Sequence, residues 1–249
     1  MKKLIISITA AATILGATPA LAATSFSDVS STNWAAPAID FLVSQKAVSG
    51  YADGTFKPNR LVSKAEAAHI YRVLFPDVGS NKVALKYTDV KSHWALKDMT
   101  YLFGEDQMVF EDKMAVINDK YYSFLNPDKK LTRGELALII GFLTPEIKTS
   151  DADVHTILGV LQSYPDLKLI PEDLPIYPGA LTPEILVDDL YGTDPYFITD
   201  YDDIKAKTFY NLITSGIMAG SNGKFRPDAQ VTRAEAAATF QRLYEYLNQ

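Results

Sequence analysis

Val231-Thr232-Arg233-Ala234-Glu235 decides the fold, because the same pattern occurs twice more: Val62-Ser63-Lys64-Ala65-Glu66 and Leu131-Thr132-Arg133-Gly134-Glu135. A hydroxyl residue with Glu three positions later is a capping box, in which side chain and backbone satisfy each other's donors at a helix start. The residues after each box are apolar at helical spacing: Ala67, Ile70, Tyr71, Leu74; then Leu136, Ile139, Ile140, Leu143; then Ala236, Phe240, Leu243, with Thr239 the one departure. Each stretch predicts a helix with one buried stripe.

Upstream of every box the landmarks repeat in order. A proline stands five residues before the hydroxyl (Pro58, Pro127, Pro227), and an aromatic stands two or three before the proline (Phe56, Phe124, Phe225). Further back come Phe26-Ser27-Asp28-Val29, Tyr87-Thr88-Asp89-Val90 and Tyr201-Asp202-Asp203-Ile204, each with the form aromatic, polar, Asp, β-branched aliphatic. An earlier helix is readable in each unit, with the stripe Ala35, Ala38, Ile39, Leu42, Val43 in the first and counterparts at 94–103 and 207–214. Internal repetition of this kind marks stacked units that cannot bury their apolar faces alone. The expectation is a mainly α chain of three helix-loop-helix units.

The linking segments Gly50-Tyr51-Ala52-Asp53-Gly54-Thr55-Phe56-Lys57-Pro58 and Gly220-Ser221-Asn222-Gly223-Lys224-Phe225-Arg226-Pro227 contain Asp-Gly and Asn-Gly, which are tight-turn signals. They lack the alternating oxygen ligands of a calcium loop. The second unit has lost this turn and is enlarged around 105–122. Residues 145–199 hold seven of the 13 prolines and no box. They read as a Pro-rich surface insertion, with one short helix at 183–190.

Lys2 and Lys3, the apolar run 4–17 and Ala20-Leu21-Ala22 form a secretory leader, with cleavage expected after Ala22 or Ala23. The expected organisation is a leader at 1–23, units at 24–80, 81–144 and 200–249, and the insertion at 145–199. No later apolar run is long enough for a bilayer, so no membrane insertion is expected. The net charge of -6 argues against nucleic acid as the partner, and the lack of cysteine excludes thiolate catalysis and Cys-ligated zinc.

Together the opening motif, the G-Y-x-D-G-T-F-x-P-N run at 50–59 and the T-R-A-E box at 232–235 resemble the S-layer homology module, usually found in threes on exported bacterial proteins. The resemblance implies a pseudo-threefold assembly whose inter-unit grooves bind secondary cell-wall polysaccharide, often pyruvylated, without covalent attachment or cofactor. It implies a cell-wall location.

The residues support an anion-binding role in their own right. Lys64, Arg133 and Arg233 fall at the first position of each capped helix, where a cation opposes the macrodipole at a cost of about 0.3–1 kcal/mol. A guanidinium beside free helix amides is a receptor for a carboxylate. The alternative is that each cation bridges to a carboxylate of a neighbouring unit. Carried over from the family, Lys64, Arg133 and Arg233 would contact the polymer, and Asp28, Asp89 and Asp203 would line the grooves or hold those cations. Trp34 and Trp94 would offer a face to a sugar ring or pack in the core. Gly50 and Gly220 would admit the ligand or permit the turn. Lys64 lacks bidentate geometry and the second unit's loop is rebuilt, so one or two competent sites are expected.

An enzyme is the first competing reading. His69, His93 and His155 are scattered singly, without metal-ligand spacing, and His69 reads as packed or solvated. No nucleophile, zincin or phosphate-loop motif occurs, so no catalytic or metal site is expected. The second competitor is an adaptor or small surface-layer component, with the insertion recruiting another exported protein or a second copy, since little sequence remains for a passenger domain.

Overall fold

All three capping boxes form. Ser63, Thr132 and Thr232 each accept from the amide three residues on, and Glu66, Glu135 and Glu235 each accept the cap residue's own amide. The computed structural model describes residues 26–77, 88–103, 113–117, 120–167 and 200–249. In chain order these form α1 (Ala36–Ser44), α2 (Lys64–Leu74), α3 (Leu96–Phe103), β1 (Lys113–Ile117), β2 (Lys120–Phe124), α4 (Arg133–Leu143), α5 (Pro145–Lys148), α6 (Val154–Gln162), α7 (Asp200–Thr214) and α8 (Arg233–Leu247). The protein is mainly helical, and β1 pairs antiparallel with β2 in an added hairpin in the second unit.

The boxed helices α2, α4 and α8 start around a common axis. Val62 N donates to Val231 O, Val231 N to Leu131 O, and Leu131 N to Val62 O, which closes a three-membered backbone ring. Each helix start is then plugged by the loop of the next unit. The first two amides of α2 donate to Lys129 O and Pro127 O, those of α4 to Ala229 O and Pro227 O, and those of α8 to Arg60 O and Pro58 O, all at 2.8–3.0 Å. The repeated proline therefore supplies a carbonyl acceptor, and donors that would otherwise be orphaned at a helix start are satisfied. The same cycle organises the outer layer: α3 packs on α2, α7 on α4 and α1 on α8.

The apolar stripes meet as expected. Ile39, Leu42, Phe56, Tyr71, Met99, Phe103, Leu125, Phe209, Phe225 and Phe240 are fully buried. In the second unit Leu125, two residues before the proline, takes the place of Phe56 and Phe225. Phe124, half-buried, does not.

Two expectations change. Residues 145–167 are not surface excursion: α5 and α6 pack on α7, and Ile147, Ile157, Leu161 and Leu167 are buried. The apolar spacing of Ile157 and Leu161 was outweighed in the sequence by proline content. The helix expected at 183–190 lies outside the described residues.

The opening aspartate of the third unit is Asp166, not Asp203. Asp28 accepts from the amides of Phe56 and Lys57, both at 2.8 Å, and Asp89 from those of Leu125 and Asn126 at 3.2 and 2.7 Å. The equivalent bonds, Phe225 N and Arg226 N at 2.9 and 2.7 Å, go to Asp166. Asp203 lies within α7. The third opening motif is therefore Tyr164-Pro165-Asp166-Leu167.

Candidate functional site

The clamp aspartates have a definite local task. The second amide each one binds belongs to a residue in the left-handed region, Lys57 (φ 58), Asn126 (φ 46) or Arg226 (φ 60). That conformation is costly for a residue with a β-carbon and needs external support. Asp28, Asp89 and Asp166 supply it through two hydrogen bonds each, and Asp28 and Asp166 also attract Arg233 and Arg133 electrostatically. Burial pushes the Asp166 carboxyl up, but the two backbone donors outweigh it and hold it below the ordinary range.

The box cations reach the next unit. Arg133 Nε donates to Phe225 O at 2.9 Å and its Nη2 to Ala219 O at 3.2 Å. Arg233 repeats this one unit round, with Nε to Phe56 O at 3.0 Å and Nη2 to Ser49 O at 2.9 Å. Each guanidinium also lies over the ring whose carbonyl it binds, at 5.1 Å from the Phe225 centroid and 4.3 Å from that of Phe56. Desolvation lowers the pKa of both guanidinium groups. Carbonyls are the hydrogen-bond partners, and at Arg233 the carboxylate bridge considered from sequence is present as well, with Nη1 4.0 Å from Oε1 of Glu66 in the first unit.

The idea that helix amides lie open beside these cations does not hold. The first three amides of α2, α4 and α8 are all occupied, by two loop carbonyls and the cap hydroxyl. A ligand carboxylate has no helix terminus to bind here. Lys64, at the first position of α2, is itself buried.

Neither Gly50 nor Gly220 is needed for a positive φ, but both sit where the backbone is crowded. The positive φ values of these turns fall on Gly54, Asn222 and Gly223 instead. A β-carbon on Gly50 would lie 2.2 Å from the Phe26 ring, and one on Gly220 would lie 2.4 Å from the Tyr164 ring. The opening aromatics of the first and third units press on this backbone, and only glycine leaves them room.

Trp34 and Trp94 are 63% and 61% exposed, so the core-packing alternative fails for both. Trp94 lines a cavity of about 710 Å³ together with Gly50, Tyr51, Arg60, Glu66, His69 and Arg233. Three cations, Lys46, Arg60 and Arg233, line it against one carboxylate, Glu66, in a chain whose overall charge is negative. Arg60 Nη1 binds Glu66 Oε1 at 2.6 Å, and Glu66 Oε2 is committed to the cap amide. The acid is spent internally, which leaves the lining with a cationic excess. A half-open, partly aromatic cavity with a few fixed charges suits a small polar ligand.

The S-layer homology domain family matches residues 25–68 and 198–237. Those two segments are similar to S-layer homology units. The middle segment lies outside both matches, yet it shares the capping box, the clamp aspartate and the axial ring with the matched units. An S-layer protein of Bacillus licheniformis is 26% identical over 239 residues, 95% of this chain and 22% of that protein. A cellulosome-anchoring protein of Acetivibrio thermocellus is 27% identical over 121 residues, 45% of this chain and 27% of its own length. A Bacillus anthracis protein named an uncharacterized cell wall amidase is 24% identical over 215 residues, 85% of this chain and 30% of its own length. The chain spans less than a third of each of these relatives.

Sequence reasoning missed the cavity cation Arg60 and three further residues. Tyr164 and Asp166 carried a weak signal, an aromatic two positions before an acid. Asp98, buried between His69 and Arg72, carried none, because its partners lie 26 and 29 positions away on α2.

Proposed function

We propose that the S-layer homology units tether the protein to the bacterial cell wall by binding an anionic secondary wall polysaccharide, non-covalently and without catalysis. The relatives named for surface layers and for anchoring support the tethering. The observation that carries the ligand class is the cavity pairing the exposed Trp94 indole with a cationic wall at Arg233 and Arg60. An indole face stacks on a sugar ring while a guanidinium meets an acidic substituent. The cation acts from the groove wall rather than through a helix terminus.

Competence is expected to differ among the grooves. By analogy with Trp94, which lines the cavity of Arg233 and Gly50, Trp34 is assigned to a groove at Arg133 and Gly220. At the third groove Lys64 replaces arginine, and the β1–β2 hairpin replaces the glycine turn. Counting from the matched residues Leu42 and Leu212 puts Ile204 where tryptophan stands in the other units. Two sites are proposed.

The test is sedimentation with purified sacculi before and after the polysaccharide is stripped with hydrofluoric acid. Pelleting with intact sacculi alone supports the proposal. Equal pelleting with bare peptidoglycan refutes it.

A further inference from the structure

His69 stands on α2 at the cavity wall and, among the described residues, is hydrogen-bonded from one side. Its Nδ1 lies 2.6 Å from Asp98 Oδ2, and the other Asp98 oxygen accepts from Arg72 Nε. Burial pushes the Asp98 carboxyl up, but the bonds from His69 and Arg72 outweigh it and keep the group ionised. An ionised carboxylate only accepts, so Nδ1 must carry a proton whether the imidazole is neutral or charged. Nε2 is then the variable atom, an acceptor in the neutral ring and a donor in the cation. The ring stands edge-on to Trp94 with centroids 5.9 Å apart, and both residues line the cavity.

This arrangement is peculiar to one of the three helix pairs. Counting from the capping boxes, Leu138 and Ala238 occupy the place of His69. Counting from Leu42, Leu102 and Leu212, Ala38 and Thr208 occupy that of Asp98. The triad is therefore not needed to pack an S-layer homology unit.

We propose that His69 is a ligand-contacting residue of the Arg233 cavity, presenting Nε2 to the acidic group of the saccharide so that binding there strengthens on acidification. The inference rests on the polysaccharide reading above and adds its regulation. The charged and titratable groups around His69 are Glu66 and Arg72 on α2, Asp98 on α3, His93 before α3, and Lys46, Arg60 and Arg233 on the cavity wall. Glu66 and Asp98 are ion-paired, and the lysine and arginines keep their charge. Of the ordinary side-chain types, imidazole is the one that changes charge near neutral pH. His93 is turned away, with its Nε2 3.4 Å from Asp128 and its Nδ1 accepting from Ala95 N.

The experiment measures equilibrium binding of wall polymer, released from sacculi by muramidase digestion, at pH 5.5 and pH 8. Wild type is expected to bind about tenfold tighter at pH 5.5, a typical coupling for one charged contact. His69→Gln should lose the slope, binding no tighter at pH 5.5 than at pH 8, while His93→Gln keeps it. His69→Ala, which takes the residue found at the same place in the third unit, serves if the glutamine variant folds poorly. A slope that survives in both His69 variants, or that vanishes in His93→Gln, overturns the proposal. A flat wild-type profile with binding intact overturns it and leaves the polysaccharide reading standing. Absence of binding by folded wild type at either pH removes both.

Discussion

Arg233 Nη2 donates to the carbonyl of Ser49 at 2.9 Å, joining the last unit to the first across 184 positions of sequence. The same side chain lines the cavity beside Trp94, so one guanidinium closes the ring and charges the cavity. Arg133 makes the equivalent bonds between the second and third units.

Because of this double task, Arg233→Ala is expected to destabilise the protein by about 2–4 kcal/mol. Two charge-assisted hydrogen bonds are lost, and the Phe56 and Ser49 carbonyls are left without that donor. Urea denaturation followed by circular dichroism measures the shift. A change under about 0.5 kcal/mol would show that the inter-unit bonds carry no net stability. Loss of wall binding in this variant is therefore not by itself evidence of a ligand contact.

Trp94→Ala separates binding from folding. The side chain is 61% exposed, and an exposed truncation costs within about 0.5 kcal/mol. The variant should keep its urea midpoint and pellet less with sacculi. A lowered midpoint would mean that the indole is structural.

Asp166→Ala should cost about 1–3 kcal/mol by stranding the amides of Phe225 and Arg226. The Phe225 amide belongs to a buried residue, and the Arg226 amide to one in the left-handed region. Thermal unfolding of Asp166→Ala against wild type checks this. An unchanged melting temperature would remove Asp166 from the role given to Asp28 and Asp89.

The local parts of this architecture were legible in the sequence, and the long-range parts were not. Each capping box is written within four consecutive residues, so all three could be read, and the helices with them. The third opening motif was misplaced because Tyr201-Asp202-Asp203-Ile204 fits the pattern and lies 32 residues before Glu235, near the spacing of the other units. Tyr164 and Asp166 stand much further back, separated from their helix by residues 168–199. The box cations were correctly singled out as unfavourable at a helix start, but their carbonyl partners lie 86–184 positions away. No local pattern records such a pairing, nor that of His69 with Asp98.

Acid should unfold the protein through its clamped carboxylates. Asp98 and Asp166 are both held below the ordinary carboxylate value in the folded state. Such a group contributes stability that is fully present above its unfolded pKa of about 3.9 and is lost as pH falls through the lower folded value. The melting temperature should therefore fall steeply below about pH 4, and Asp98→Asn should flatten part of that fall while lowering stability at neutral pH. A variant that tracks wild type throughout would mean that the His69–Asp98–Arg72 contacts add nothing.

The two tryptophans of the chain are both exposed; Trp94 lines the cavity, and Trp34 is assigned to the second of the two proposed grooves. Their emission reports directly on whether sugar occupies those grooves. Titration of the protein with muramidase-released wall polymer is expected to give a saturable blue shift, reduced in amplitude in Trp94→Ala. Emission that stays constant while the same protein pellets with sacculi would place the wall contact elsewhere and contradict the account.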